Sequence, residues 1–510
     1  MQKKGEVTKT VGLFGFFALT ASMVINVYEY PTFATSQLNL LFFLIVGGVL
    51  WFLPVALCSA EMATVPEWEK GGVFTWVSKT LGERWGFMAI FFQWFQITVG
   101  FITMIYFMLS AISQIFSWSA LNENPLLKTL GVLVIFWLVT FSQFRGTALT
   151  DKLAKYTFML GIVVPAVVLL LFGVFYVLGG NPLQFSGSGK NFLPDFSDIS
   201  TVVVFASFVL SYMGVEASAT YSNELKDVQK NYPRAMLLLL VFLIAISAIG
   251  GLSISAIIPQ KELSLSGGVL QAVDKYLKHF GLSSIWLLKG FSVLICIGII
   301  GEVSTWVVGP VRGLYMAAQE GLLPPVFRKV NKHNVPVPLV LVQGIVVSVW
   351  AIVLTLFGGG NNLSFQVAIS LTTTIYILMY VLFFIGYFVF VYKHKDLKGG
   401  YQVPGKKLGK TIIASSGFLC SLVVLVISFI APSSIPKSED RVFQLLLLTC
   451  FLITALLPFI IYQLNDKLKH KTIHHPIHFK ASEVNLFIRP IGRGEEHILS
   501  DEVREKQKMM

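Results

Sequence analysis

Charge is what this sequence has least of. Asp, Glu, Lys and Arg make up 13% of its 510 residues, about half the roughly 25% of an ordinary soluble domain. With 55% hydrophobic residues, that deficit excludes a water-soluble globule. Cysteine is equally sparse. Cys58, Cys296, Cys420 and Cys450 all fall in apolar stretches, where a free thiol behaves as a small hydrophobe, and neither a disulfide framework nor zinc-ligand spacing can be drawn. No nucleophile–base set and no cofactor motif is found, so the reading is of no enzyme, no catalytic residue, no metal and no cofactor. Ser186-Gly187-Ser188-Gly189-Lys190-Asn191 has the look of a phosphate-binding loop, but Gln184 stands where that pattern needs Gly and Asn191 where it needs Ser or Thr. It reads as an external turn, as does Gly358-Gly359-Gly360.

What is present is a series of long uncharged runs. Twelve are long enough to span a membrane at about 20 residues each, near 11–36, 38–60, 86–112, 126–143, 157–179, 199–220, 234–259, 286–310, 337–358, 363–392, 411–431 and 441–463. An even number puts both termini on one side. Of the 39 Lys and Arg, 31 fall in the N-terminus, alternate connections and the C-terminal tail, 7 in the remaining connections, and Lys289 is left over. The basic side is the cytoplasmic one, so both termini are expected in the cytoplasm. The net charge of +12 therefore reflects topology; spread over loops, it lacks the basic stripe of a nucleic-acid binder. The first run is too long for a cleaved signal peptide, and its removal would upset the charge alternation.

Two of the runs are interrupted. Val11 to Val27 is uncharged, then Tyr28-Glu29-Tyr30-Pro31 places a carboxylate and a proline at membrane depth. The carboxylate costs about 2.5–3.5 kcal/mol on insertion scales, and proline removes a backbone donor and clashes with the preceding turn. Ile199 to Val215 repeats the design, ending in Gly214-Val215-Glu216-Ala217-Ser218. A pair of broken helices in corresponding halves points to a solute-binding site, because backbone groups freed inside a membrane must face protein or a watery cavity. A third carboxylate, Glu302, lies in Gly290 to Val311, otherwise free of charge, with Trp306 one turn on and on the same face. Tyr376 and Tyr380 form another i, i+4 pair inside the uncharged run Asn361 to Tyr392; core packing and a transport role are both open to them. Each carboxylate has a structural alternative, as a protonated or water-bridged group, although ionisable residues inside a membrane are functional by default.

Several stretches carry a resemblance. Ala60-Glu61-Met62, Pro66, Gly71-Gly72-Val73-Phe74-Thr75-Trp76 and Leu81-Gly82 resemble the connection after the second helix in the amino acid–polyamine–organocation (APC) superfamily. So do Asn223-Glu224-Leu225-Lys226 with Tyr232-Pro233-Arg234-Ala235, and Arg312 to Ala318 with Gly321-Leu322-Leu323-Pro324 and Pro336, each placed after its helix. The resemblance implies an all-α membrane protein of twelve helices: two inverted repeats of five, about 11–180 and 199–392, in the LeuT-like arrangement, with helices one and six broken and two extra helices over 411–463. Where the superfamily has a glycine-rich break in helix one, this chain has Val24-Ile25-Asn26. Ala21-Ser22-Met23-Val24, Val27 to Ser36, Leu210 to Thr220, Glu302 to Pro310 and the paired tyrosines are similar to the bacterial glutamate:GABA antiporters. By that similarity Tyr28, Glu216, Glu302, Trp306, Tyr376 and Tyr380 are transport-path residues, joined by Glu29 and Gly214 for their position at the breaks.

That likeness implies glutamate and GABA as substrates, with glutamine a further candidate, a surrounding of membrane lipid, no nucleic acid, and a functional link to a cytoplasmic glutamate decarboxylase. A site with carboxylates and no fixed cation repels glutamate with an ionised side chain and accepts its protonated form or cationic GABA. Inward glutamate, decarboxylation and outward GABA would together export acid, so acid resistance is the expected role. The tail, Leu464 to Met510, holds His470, His474, His475, His478 and His497. Histidine titrates near pH 6.5, and the antiporters use this tail as a plug; Arg489, in Phe487-Ile488-Arg489-Pro490, stands where their pattern can hold a histidine. A tail without function and a His474-His475-His478 metal site are the alternatives, the latter lacking an acidic or Cys partner. For the whole chain, a proton-coupled symporter, another decarboxylase-linked exchanger and a nutrient-sensing receptor on a transporter fold stay open.

Overall fold

The computed structural model describes residues 12–68, 72–145, 156–157, 159–185, 192–219, 222, 225–358 and 361–472. The chain divides into a unit Met1–Asn465 and a unit Asp466–Met510, the second described only as far as Thr472. The elements among the described residues are all helical. Among the described residues ten helices are long and apolar enough to cross a membrane: Asn39–Ala63, Glu83–Phe116, Pro125–Gln143, Met159–Leu178, Val228–Ile257, Ile285–Gln319, Val337–Leu356, Asn361–Lys393, Lys406–Ile427 and Lys437–Lys467. They match spans two to five and seven to twelve of the sequence. The remaining two are the interrupted ones. The first is split into Leu13–Val24 and Tyr30–Ala34, and the sixth into Ile199–Val202, Phe205–Leu210 and Val215–Ala219.

The third span, Glu83–Phe116, is the packing centre, lying against the eighth, Ile285–Gln319, and the tenth, Asn361–Lys393. The fifth span meets the eighth at backbone distance. A Cβ on Gly161 would come within 2.1 Å of Gly298 N, and one on Gly298 within 2.4 Å of Gly161 O. Small residues at such crossings are how membrane helices gain van der Waals contact where no hydrophobic force drives them together. Outward faces are lipid-compatible. On the eleventh span Leu408, Ile412, Leu419, Val423 and Val426 are all exposed.

Three of the sequence boundaries move. Glu61, expected in a loop after a helix ending at Ala60, is buried inside the helix Leu53–Ala63. Tyr232-Pro233-Arg234-Ala235 lies within Val228–Ile257, and Arg312 to Ala318 within Ile285–Gln319. The cause is common to all three: at 1.5 Å per residue the 35-residue eighth helix is about 50 Å long against a hydrocarbon core of about 30 Å, so polar ends continue as helix beyond the apolar run. Gly359-Gly360 and the loop Ser186 to Asn191 lie outside the described residues.

Candidate functional site

The break in the first span begins where Ile25 turns to extended backbone, φ −80° and ψ 124°, and ends at Glu29, which caps the short helix opening with Tyr30-Pro31. Residues 25–29 are the ones left unwound between the two helical pieces. Pro31 sits in the first turn of the new helix, where its missing N–H costs nothing. The sixth span breaks at 211–214, and Gly214 has φ +98°, a conformation open to glycine and costly for a side chain. The two breaks face each other across a cavity of about 10 Å³ bordered by Ile25, Asn26, Glu29, Ser211, Tyr212 and Ser247, room for about one water.

Glu216, just past the Gly214 turn, is 1% exposed and accepts four hydrogen bonds. Gln93 Nε2 (2.9 Å) and Tyr376 OH (2.7 Å) donate to Oε1, and Tyr380 OH (2.5 Å) and the Gly214 N–H (3.1 Å) to Oε2. The Gly214 N–H also lies 3.0 Å from Tyr380 OH. The carboxylate therefore ties the sixth span to the third and the tenth. Tyr380 is boxed in by Trp51, ring centroids 4.7 Å apart, and by Tyr376 at 5.0 Å. The tyrosine pair thus packs through its rings and holds a carboxylate through its hydroxyls.

Glu29 and Glu302 are different. Glu29 is 3% exposed, and Glu29 Oε2 and Glu302 Oε2 are buried without a hydrogen-bond partner among the described residues. Glu302 is within electrostatic reach of both Glu29 and Tyr28, and among the described residues neither carboxylate is in an ion pair. Tyr28 is buried, its ring 6.5 Å from Phe107. Trp306 is half-buried against the core on the face of Glu302. Of the eight membrane residues singled out in the sequence, the structure thus gathers Gly214, Glu216, Tyr376 and Tyr380 into one cluster, and Tyr28, Glu29 and Glu302 into another. Trp306 follows Glu302. His474, His475, His478, Arg489 and His497 lie outside the described residues.

Two polar side chains inside the bundle escaped the sequence. Gln93 carries no charge to mark it in an apolar helix, and its partner is 123 residues away. Lys128 is 1% exposed, its Nζ 3.0 Å from Asn361 Oδ1 and 4.1 Å from the Tyr106 ring centroid. Only its nearness to a helix start distinguishes it in the sequence from a surface lysine. Neither of these partners belongs to a carboxylate cluster, and among the described residues no basic side chain is seen hydrogen-bonded to either cluster.

Broken helices meeting at a small cavity bordered by the buried Glu29, with lipid-compatible surroundings, define a multi-pass membrane transporter. The Amino acid permease family profile matches residues 11–456, and the chain belongs to that family. It is 58% identical over 494 residues, 97% of this chain and 98% of the relative, to the glutamate/gamma-aminobutyrate antiporter of Lactococcus lactis subsp. lactis strain IL1403. To the protein of that name in L. lactis subsp. cremoris strain MG1363 it is 59% identical over the same shares. The crystal structure of MhsT in complex with L-phenylalanine superposes with a TM-score of 0.54 at 15% identity, over 82% of this chain and 99% of that one. At that identity the likeness concerns the fold, which is LeuT-like.

Proposed function

We propose that this chain exchanges extracellular glutamate for intracellular GABA across the cytoplasmic membrane, with both termini in the cytoplasm. The observation that carries the reading is Glu29, at the break of the first span and within electrostatic reach of Glu302, each with one buried oxygen that has no hydrogen-bond partner among the described residues, in a chain 58–59% identical to two proteins named for that exchange. A carboxylate pair favours an ammonium and disfavours a second anion, so cationic GABA and glutamate with a protonated side chain fit, and fully ionised glutamate does not. The freed N–H groups at the helix breaks can hold a substrate α-carboxylate, and the Trp306 or Tyr28 ring its ammonium. Glu216, already holding four donors, acts as a fixed strut between the sixth span and its neighbours. Coupling to a cytoplasmic glutamate decarboxylase would make the cycle export acid. The tail from Leu464 is proposed to respond to pH.

Proteoliposomes preloaded with GABA test the exchange. Labelled glutamate should enter several times faster than into empty vesicles, and more so at about pH 5 than at about pH 7.5, where protonation of a side chain of reference pKa about 4.3 is negligible. Entry unaffected by internal GABA would make the chain a symporter. Binding without flux would make it a receptor.

A further inference from the structure

The two membrane faces of the protein are unlike. On one, a vestibule of about 980 Å³ opens among residues that include Thr35, Ser36, Gln260, Ser264, Asn361 and Ser434. On the other, the segment between the tenth and eleventh spans is strapped over the ends of the second and seventh. Gly400 N donates to Thr64 O (3.1 Å) and Tyr401 N to Thr64 Oγ1 (3.0 Å). Gln402 exchanges two hydrogen bonds with the Gln229 side chain, at 2.8 and 3.0 Å. At the centre of the strap lies Glu61, 1% exposed. It accepts from Tyr387 OH (2.6 Å) of the tenth span and from the Val403 N–H (3.2 Å) of the strap, and it pairs with Lys410 of the eleventh.

Tyr376, Tyr380 and Tyr387 follow one another at four and seven residues, which places all three on one face of the tenth helix. That face holds two buried carboxylates from two other spans: Glu216 at the break of the sixth, and Glu61 near the end of the second. We propose that Glu61, Tyr387 and Lys410 form a latch that keeps the mouth opposite the vestibule closed, and that the tenth helix couples this latch to the Glu216 cluster. To open that mouth, the second span must leave the strap and its charge pair must be rehydrated. A shift of the tenth helix that loosens Tyr376 and Tyr380 from Glu216 pulls Tyr387 from Glu61 as well. Glu61, Tyr387 and Lys410 are then positioning residues, acting on the path through helix placement.

The molecule carries its own reporter. Cys58 is one turn before Glu61, fully buried, within reach of Glu61, Tyr387 and Lys410. In full-length protein in proteoliposomes, with Cys296, Cys420 and Cys450 replaced by alanine, N-ethylmaleimide should alkylate Cys58 slowly. Lys410→Met should speed alkylation about tenfold, the population shift expected for losing one charge-assisted hydrogen bond. The choice of variant matters, because losing a neighbouring ammonium makes a thiolate rarer; faster alkylation must therefore come from exposure. Lys410→Arg should keep the slow rate, and Tyr387→Phe should raise it by a smaller factor. A Lys410→Met protein that alkylates at the original rate overturns the latch. So does one in which Cys296, kept as the sole cysteine, accelerates equally, since that reports general loosening. The flux consequence rests on the exchange reading above, but the alkylation pattern does not. Absent glutamate–GABA exchange with the Cys58 pattern intact refutes that reading alone, and normal exchange with an unchanged Cys58 refutes the latch alone.

Discussion

Four carboxylates in the same membrane bundle have three different fates, and their hydrogen bonds tell them apart. Glu216 has a full set of neutral donors, Glu61 a cation, while Glu29 and Glu302 each keep a buried oxygen unsatisfied. An unsatisfied buried acceptor is costly, so on the proposed reading a substrate ammonium gains most at the last pair. We therefore expect Glu302→Gln to lower exchange about tenfold or more, since a hydrogen bond to a charged group is worth about 1.5–3 kcal/mol. Lys289→Gln, on the same helix but near its start with Nζ over the Trp286 ring at 5.8 Å, should leave exchange nearly unchanged, because such a lysine can snorkel. Initial exchange rates in proteoliposomes compare the two; equal rates would remove Glu302 from the site. The positions of these carboxylates were legible because charge stands out in uncharged runs. Their division into satisfied and unsatisfied was not, because it depends on Gln93 and the tyrosine hydroxyls, which leave no mark in hydropathy.

At the scale of elements, the breaks themselves were readable and their limits were not. Pro31 and Gly214 mark a helix restart and a turn by their backbone chemistry alone, whereas the stop at Val24 is imposed by packing, since Val24-Ile25-Asn26 contains no residue that forbids a helix. Helix ends beyond the apolar runs were misplaced for a related reason: hydropathy reports the lipid boundary, not the last hydrogen-bonded turn. Gly214 offers a test. Its φ of +98° costs a branched side chain about 1–3 kcal/mol, and the turn aims its N–H at Glu216 Oε2. Gly214→Val should lower the thermal midpoint in detergent and abolish exchange, while Gly290→Ala, where an added Cβ meets nothing within 4 Å, should change neither. A Gly214→Val protein with normal exchange would show that the turn is incidental to transport.

At the scale of the whole molecule, charge is distributed by membrane side. The proposed cytoplasmic side has 31 of 39 Lys and Arg, nine of them in the tail from Leu464 to Met510. With neutral histidines, those nine face seven Asp and Glu in the same segment, a net of +2; protonating its five histidines raises this to +7. Histidine of ordinary pKa, about 6.5, is mostly neutral at pH 7 and charged near pH 5, so the change falls in the range over which the proposed pH response would act. The other 22 basic residues of that side should tolerate a tail at +2 and repel one at +7, within a screening length of about 8–10 Å. The proposal therefore has a sign: acidification should release the tail and raise exchange, and neutral pH should restore the restraint. Arg489 keeps its charge throughout, and of the five histidines four, His474, His475, His478 and His497, lie beyond residue 470. Truncation after residue 470 should therefore raise exchange at pH 7 towards its pH 5 value and flatten the profile, with the pH 5 rate little altered. A truncated protein that keeps the full-length profile would move the switch to substrate protonation at the Glu29–Glu302 junction.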